Sequence, residues 1–174
     1  MSESPAKTTN SRNSMRLFWV LSVPAYIADQ VTKLWIVKNL EPYQDRIEVA
    51  QGIFWIDHVK NTGVAFGMAN GGKYSNLIFG FIAFVACSLI AWMWKKEQFP
   101  TVAGRVSAAL LISGALGNLT DRFLHNYVVD WLTVDLKFMM WPSFNLADAF
   151  ICVAAVLLLV TSFLPEPKDE ESAS

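Results

Sequence analysis

The sequence predicts a mainly α-helical membrane protein: a bundle of four transmembrane helices with small extracytoplasmic β-strand elements. Three observations carry that class. Of 174 residues, 53% are hydrophobic and 17% charged, too apolar a balance for an ordinary soluble domain. Four apolar runs approach the roughly 20 residues that a helix rising about 1.5 Å per residue needs to cross a bilayer. The polar and strand-forming residues collect in two long connections on one side of those runs.

The first run, Leu17 to Val37, is too long for a secretory leader, carries Asp29 and Lys33, and is followed by no small-residue cleavage site, so it is expected to stay attached. The second runs from Leu77 to Trp94. The third, Val102 to Leu119, is the least hydrophobic, but Ala109, Ser113 and Gly117 recur every fourth position and make a smooth stripe that a neighbouring helix can approach closely. The fourth, Phe144 to Leu164, holds Asp148 near its start. Between the first two runs, "RIEVAQGIFWIDHVKNTGVAF" is rich in Val, Ile, Phe and Trp with Gly-marked breaks, which predicts short strands on the membrane surface; "YVVDWLTVDL" between the last two reads the same way. Lys7, Arg12 and Arg16 precede the first run, and Lys95, Lys96 and Arg105 flank the short turn between the second and third. Both sides are therefore cytoplasmic, as are both termini of a chain with an even number of spans. An N-terminal extension, 1–15, is expected to be disordered, followed by a four-span domain, 16–164, and an acidic tail, 165–174.

A net charge of −1 without a basic block argues against nucleic acid as a partner. Cys87 and Cys152 lie in apolar runs while His58 and His125 lie in polar connections, so neither a disulfide framework nor a zinc site is expected. No segment demands an oligomer, and a monomer is the expectation.

Charged groups inside apolar runs are costly and need a reason. Asp29 and Lys33 stand i, i+4 with the acid first, the favourable order for a helical ion pair, and either brace the fold or touch substrate. Asp121 and Arg122 close the third run, where an arginine serves as an interface anchor or as part of a site. "NLT" at Asn118 matches a glycosylation sequon but lies at a helix end in the membrane. Asp148, about 6 Å below the start of the fourth helix by its rise, and Asp130, in the connection leading to it, fall at one shallow depth. Two carboxyls meeting in a desolvated place share a proton, so that one serves as base on a water while the other polarises a carbonyl; the bland alternative is capping or ion pairing. Asn145, one turn before Asp148, either orients a carboxylate or substrate carbonyl or caps the helix. Gly63 and Gly67 permit close backbone approach or a hinge. Two other classes compete: a small transporter or channel subunit, which needs charges through the whole bilayer depth, and a headgroup transferase with carboxylate-held Mg²⁺, which needs clustered aspartates.

Taken together, "DQVTK", "NTGVAFG", "GNLTDR", "VVDWL" and "FNLADAFI", in that order from residue 29 to residue 151, resemble the lipoprotein signal peptidase (signal peptidase II) family of bacterial inner-membrane aspartyl peptidases. The resemblance implies Asp130 and Asp148 as catalytic residues, and Asp29, Lys33, Asn61, Gly63, Asn118, Asp121, Arg122 and Asn145 as residues that shape the site or hold substrate. Trp131 stands where relatives commonly carry another aromatic or aliphatic residue. The implied substrate is a prolipoprotein bearing a diacylglyceryl group on the Cys that becomes the new N-terminus, cut just before that Cys near the outer face of the inner membrane. Membrane lipids are the only other implied partner, and no metal or organic cofactor is implied.

Overall fold

The computed structural model describes residues 5–63 and 75–163. In chain order these form α1 (Pro5–Asn39), β1 (Arg46–Ala50), β2 (Phe54–Asn61), α2 (Ser75–Lys95), α3 (Val102–His125), β3 (Val128–Asp135), β4 (Met140–Phe144) and α4 (Leu146–Ser162). The four strands make one antiparallel sheet in the order β1-β2-β3-β4. Both sequence segments expected to hold strands thus contribute, and the pairing of β2 with β3 joins them.

α3 is the hub, packing on α4, α1 and α2. Its buried face is small: Ser107, Ala108, Ala109, Ser113, Gly114 and Gly117. The stripe works as close packing demands, since a Cβ on Gly117 would lie 2.4 Å from the Asp29 carboxylate of α1 and 3.3 Å from Ala147 of α4. Ser113 donates its hydroxyl to the Ser22 carbonyl of α1 at 3.0 Å, beside Pro24, where the missing N–H interrupts the helical ladder. Thr101 caps the start of α3 by accepting from Gly104 N–H, and Asn126 closes it in the left-handed region.

Element limits differ from expectation in three places. α1 begins at Pro5, so the extension expected to be disordered is helical from there on. α3 runs six residues past Leu119, to His125, which puts Asp121 and Arg122 inside its last turns rather than at its end. α4 starts at Leu146 because Phe144 pairs with Leu132 as the last residue of β4 and Asn145 is extended. Gly67, Leu164 and the acidic tail lie outside the described residues.

Burial is inverted relative to a soluble domain. The interior holds Asp29, Lys33, Asn118, Asp121, Asp130 and Asn145, while Val20, Ile27, Phe81, Phe84, Val156 and Leu159 face outward. Such an apolar exterior on long helices suits lipid. α2 and α3 are each long and apolar enough to cross a membrane; α4, of 17 residues, is apolar but shorter. Ile36 of α1 and Leu40, just past its end, pack on Val129 of β3, which seats the sheet on one end of the helices.

Candidate active site

The start of α4 builds the centre. Asn145 Oδ1 accepts the Asp148 N–H at 3.0 Å and Asp148 Oδ2 accepts the Asn145 N–H at 3.2 Å, a reciprocal capping box. This use of its oxygen leaves the Asn145 amide nitrogen to point away from the helix. It donates to Asp130 Oδ1 at 2.7 Å and to Asn118 Oδ1 at 3.2 Å. Asn118 in turn donates to Asp148 Oδ1 at 2.7 Å. Asp130 and Asp148, on β3 and α4, are therefore held together through Asn145, so the helix cap and the orienting amide foreseen as alternatives are one residue doing both.

Asp130 takes a second donor. Asn61 binds the Gly63 N–H through Oδ1 at 2.8 Å, which fixes its amide and aims Nδ2 at Asp130 Oδ2, 2.9 Å away. Asn61 reaches it because Val59, two residues back in β2, pairs opposite Asp130. Burial, reinforced by the neighbouring Asp148 charge, pushes the Asp130 carboxyl up to about 7, against the opposing pull of both amides and of Lys33. Asp148 is partly exposed while Asp130 is buried, so the pair is open on the Asp148 side.

Beneath the pair lies a second layer. Lys33 Nζ sits 2.9 Å from Asp29 Oδ2 and 3.0 Å from Asp121 Oδ2, and donates to Asn118 Oδ1 at 3.0 Å. Each carboxylate also grips backbone next to an aspartate of the pair: Asp29 Oδ1 accepts the Ala147 N–H at 2.9 Å, and Asp121 Oδ2 the Val129 N–H at 3.0 Å. One buried ammonium thus ties α4 and β3 together through α1 and α3. Arg122 donates to the Asn118 carbonyl at 3.2 Å and its guanidinium lies 5.3 Å from the Phe79 ring centre. Gly63, at φ +80°, rests on the same ring, where a Cβ would come within 2.5 Å.

All ten residues predicted from the sequence lie in this assembly. Two others belong to it. Gln30 bridges Asp29 Oδ2 at 3.1 Å and the Gly117 carbonyl at 3.2 Å; its signal was a polar amide in an apolar run, beside Asp29. Phe79 carries no sequence signal, since a Phe in an apolar helix is ordinary.

A family model described as signal peptidase (SPase) II matches residues 21–164, which contain every residue of the site. The chain belongs to the signal peptidase II family. Among proteins of that family, the lipoprotein signal peptidase of Pseudoalteromonas atlantica is 40% identical over 153 residues, covering 87% of this chain and 92% of that protein. The lipoprotein signal peptidase of Shewanella halifaxensis is 37% identical over 94% of this chain and 96% of its own, and that of Neisseria meningitidis 34% identical over 94% and 98%. Two solved structures, described as a bacterial membrane enzyme, superpose with TM-scores of 0.77 and 0.76 at 27% and 28% identity, covering 90% and 84% of this chain and 94% and 92% of theirs. As a signal peptidase II, the protein is a bacterial membrane peptidase.

Proposed function

We propose that this signal peptidase II is an aspartic endopeptidase that cuts diacylglyceryl-modified prolipoproteins just before the lipidated Cys, with Asp130 and Asp148 as the catalytic pair. The observation that carries the reading is Asn145, which holds one carboxyl and is capped by the other, in a buried setting that brings Asp130 to about 7. Asp130 keeps a proton near neutral pH and donates it toward the scissile carbonyl oxygen. Asp148, on the open side, takes a proton from a water as that water adds to the carbonyl carbon, and then passes it to the departing nitrogen of the lipidated Cys. The Asp130 proton returns as the carbonyl re-forms, and the peptide bond is hydrolysed with both carboxyls restored.

Asp29, Lys33, Asn118 and Asp121 position the pair without meeting substrate, whereas Asn61, Gly63 and Arg122 border the open side and hold it. On this reading all four helices span the membrane with cytoplasmic termini, so the pair would work near the outer face, where acyl chains anchor the lipidated Cys; each buried CH₂ adds about 0.8 kcal/mol. A single copy of the chain is the proposed acting unit. A transporter has no comparable support, since the buried charges of the described residues gather in one cluster instead of lining a path.

The test is conversion of a lipidated precursor by purified variants. Asp130→Asn and Asp148→Asn should each abolish cleavage while keeping the thermal unfolding profile, and EDTA should have no effect on the parent enzyme. Cleavage retained in either variant refutes the assignment.

A further inference from the structure

The site uses one face of the sheet's inner strands and leaves its far tip unexplained. There the two hairpin turns lie side by side: the Asp135 N–H donates to the Ile53 carbonyl at 2.8 Å, and the Lys137 ammonium donates to the Gly52 carbonyl. Around these contacts Ile53, Leu136, Phe138, Met139, Met140 and Trp141 all face outward, with Phe138 81% and Trp141 51% exposed. No described residue covers them. None belongs to the motifs that identify the family.

We propose that this double tip is a membrane foot, dipping into the headgroup and upper acyl layer of the outer leaflet beside α4. Three observations select lipid as the occupant. First, Trp, Phe and Met around a single Lys is an interfacial composition; the tip's acids are already engaged, Asp135 by Lys137 at 4.0 Å and Glu48 by the Gly52 N–H at 2.6 Å. Lys137 can snorkel back toward headgroup phosphates. Second, β4 ends at Phe144 and α4 begins at Leu146, so a strand of five residues, about 17 Å, is all that separates the tip from the point where the chain enters the bilayer. Third, a protein strand is a poor occupant, because β4 is the sheet's edge and carries Pro142, which has no N–H to pair. The foot fixes the tilt of the sheet, and with it the depth of Asn61 and Asp130 relative to a lipid-anchored substrate.

This inference rests on the reading of α4 as a membrane span, so the experiment separates the two. Nitroxide labels are placed singly at Phe138→Cys, Val156→Cys and Gln44→Cys in a Cys87→Ala, Cys152→Ala background. The protein is reconstituted in vesicles of phosphatidylethanolamine and phosphatidylglycerol. Relaxation by oxygen should exceed that by a water-soluble nickel chelate at 138 and 156, and the order should reverse at 44, an exposed loop position. A lipid-like signal at 156 with an aqueous one at 138 overturns the foot and leaves the span. Shielding of 138 from both reagents means a protein cover, whether a second copy or another part of the chain, and overturns it as well. An aqueous signal at 156 overturns the span itself, and the foot with it.

Discussion

Asn145 shows how a single amide can set the chemistry of two carboxyls. Its oxygen caps α4 and its nitrogen binds Asp130, so truncation removes both functions at once. Asn145→Ala should lower kcat on the order of 10²-fold, the cost of a misplaced catalytic group, and destabilise the helix start by about 1 kcal/mol. Asn145→Asp separates the roles, because aspartate caps as well as asparagine but sets an acceptor against Asp130. Cleavage should fall in that variant although the cap on α4 is kept, and the new acceptor set against buried Asp130 should lower the unfolding temperature as well; an active Asn145→Asp enzyme would reduce the residue to a cap. The pH profile belongs to the same scale. Folding raises the Asp130 carboxyl above its ordinary value, so it is protonated below about 7 and ionised above it, and a mechanism needing that proton loses rate as pH climbs through about 7. The Asn61 amide pulls this carboxyl down. Asn61→Ala should therefore move the alkaline limb of the kcat profile to higher pH, and a limb that stays in place or moves down argues against Asp130 as the acid.

Helices and strands are joined by the Lys33 network as well as by the apolar contact of Ile36 with Val129. The Lys33 ammonium holds Asp29 of α1 and Asp121 of α3, which in turn hold the first turn of α4 and the first residues of β3. Lys33→Met leaves two buried carboxylates facing each other with no counter-ion, and should cost about 3–5 kcal/mol, read as a lower thermal midpoint in detergent. Gly117 is the steric counterpart. A methyl group there meets the Asp29 carboxylate at 2.4 Å, so Gly117→Ala must separate α1 from α3 or turn Asp29 away from Ala147. A loss of about 1–3 kcal/mol is expected, with activity falling alongside it. The smooth stripe on α3 was legible in the sequence as a period of four. That its closest neighbour is a carboxylate and not an apolar chain was not legible, because a stripe states where a helix can come near and says nothing of what the partner presents.

At the scale of the molecule, polar residues inside and apolar residues outside follow from a lipid surround, and reporter fusions test the resulting topology. Alkaline phosphatase fused after Asp45 should be active in intact cells, and fused after Glu97 inactive; the opposite pattern would reverse the membrane orientation. The sequence alone determined the four helices, the strand-rich connections and the order of the five motifs, because hydropathy, β-propensity and charge bias are local properties that survive without any knowledge of contacts. The limits of α1 and α4 escaped it, since helix ends are decided by neighbours: Phe144 is a strand residue only because β3 lies beside it. The meeting of Asp130 with Asp148 was suggested by depth, but the means of holding them was decided only by tertiary structure. Asn61, Asn118 and Lys33 come from β2, α3 and α1 and Asn145 caps α4, and the hydrogen bonds of about 3 Å that tie them to Asp130, Asp148 and Asn118 exist only after β2 pairs with β3 and α3 packs between α1 and α4.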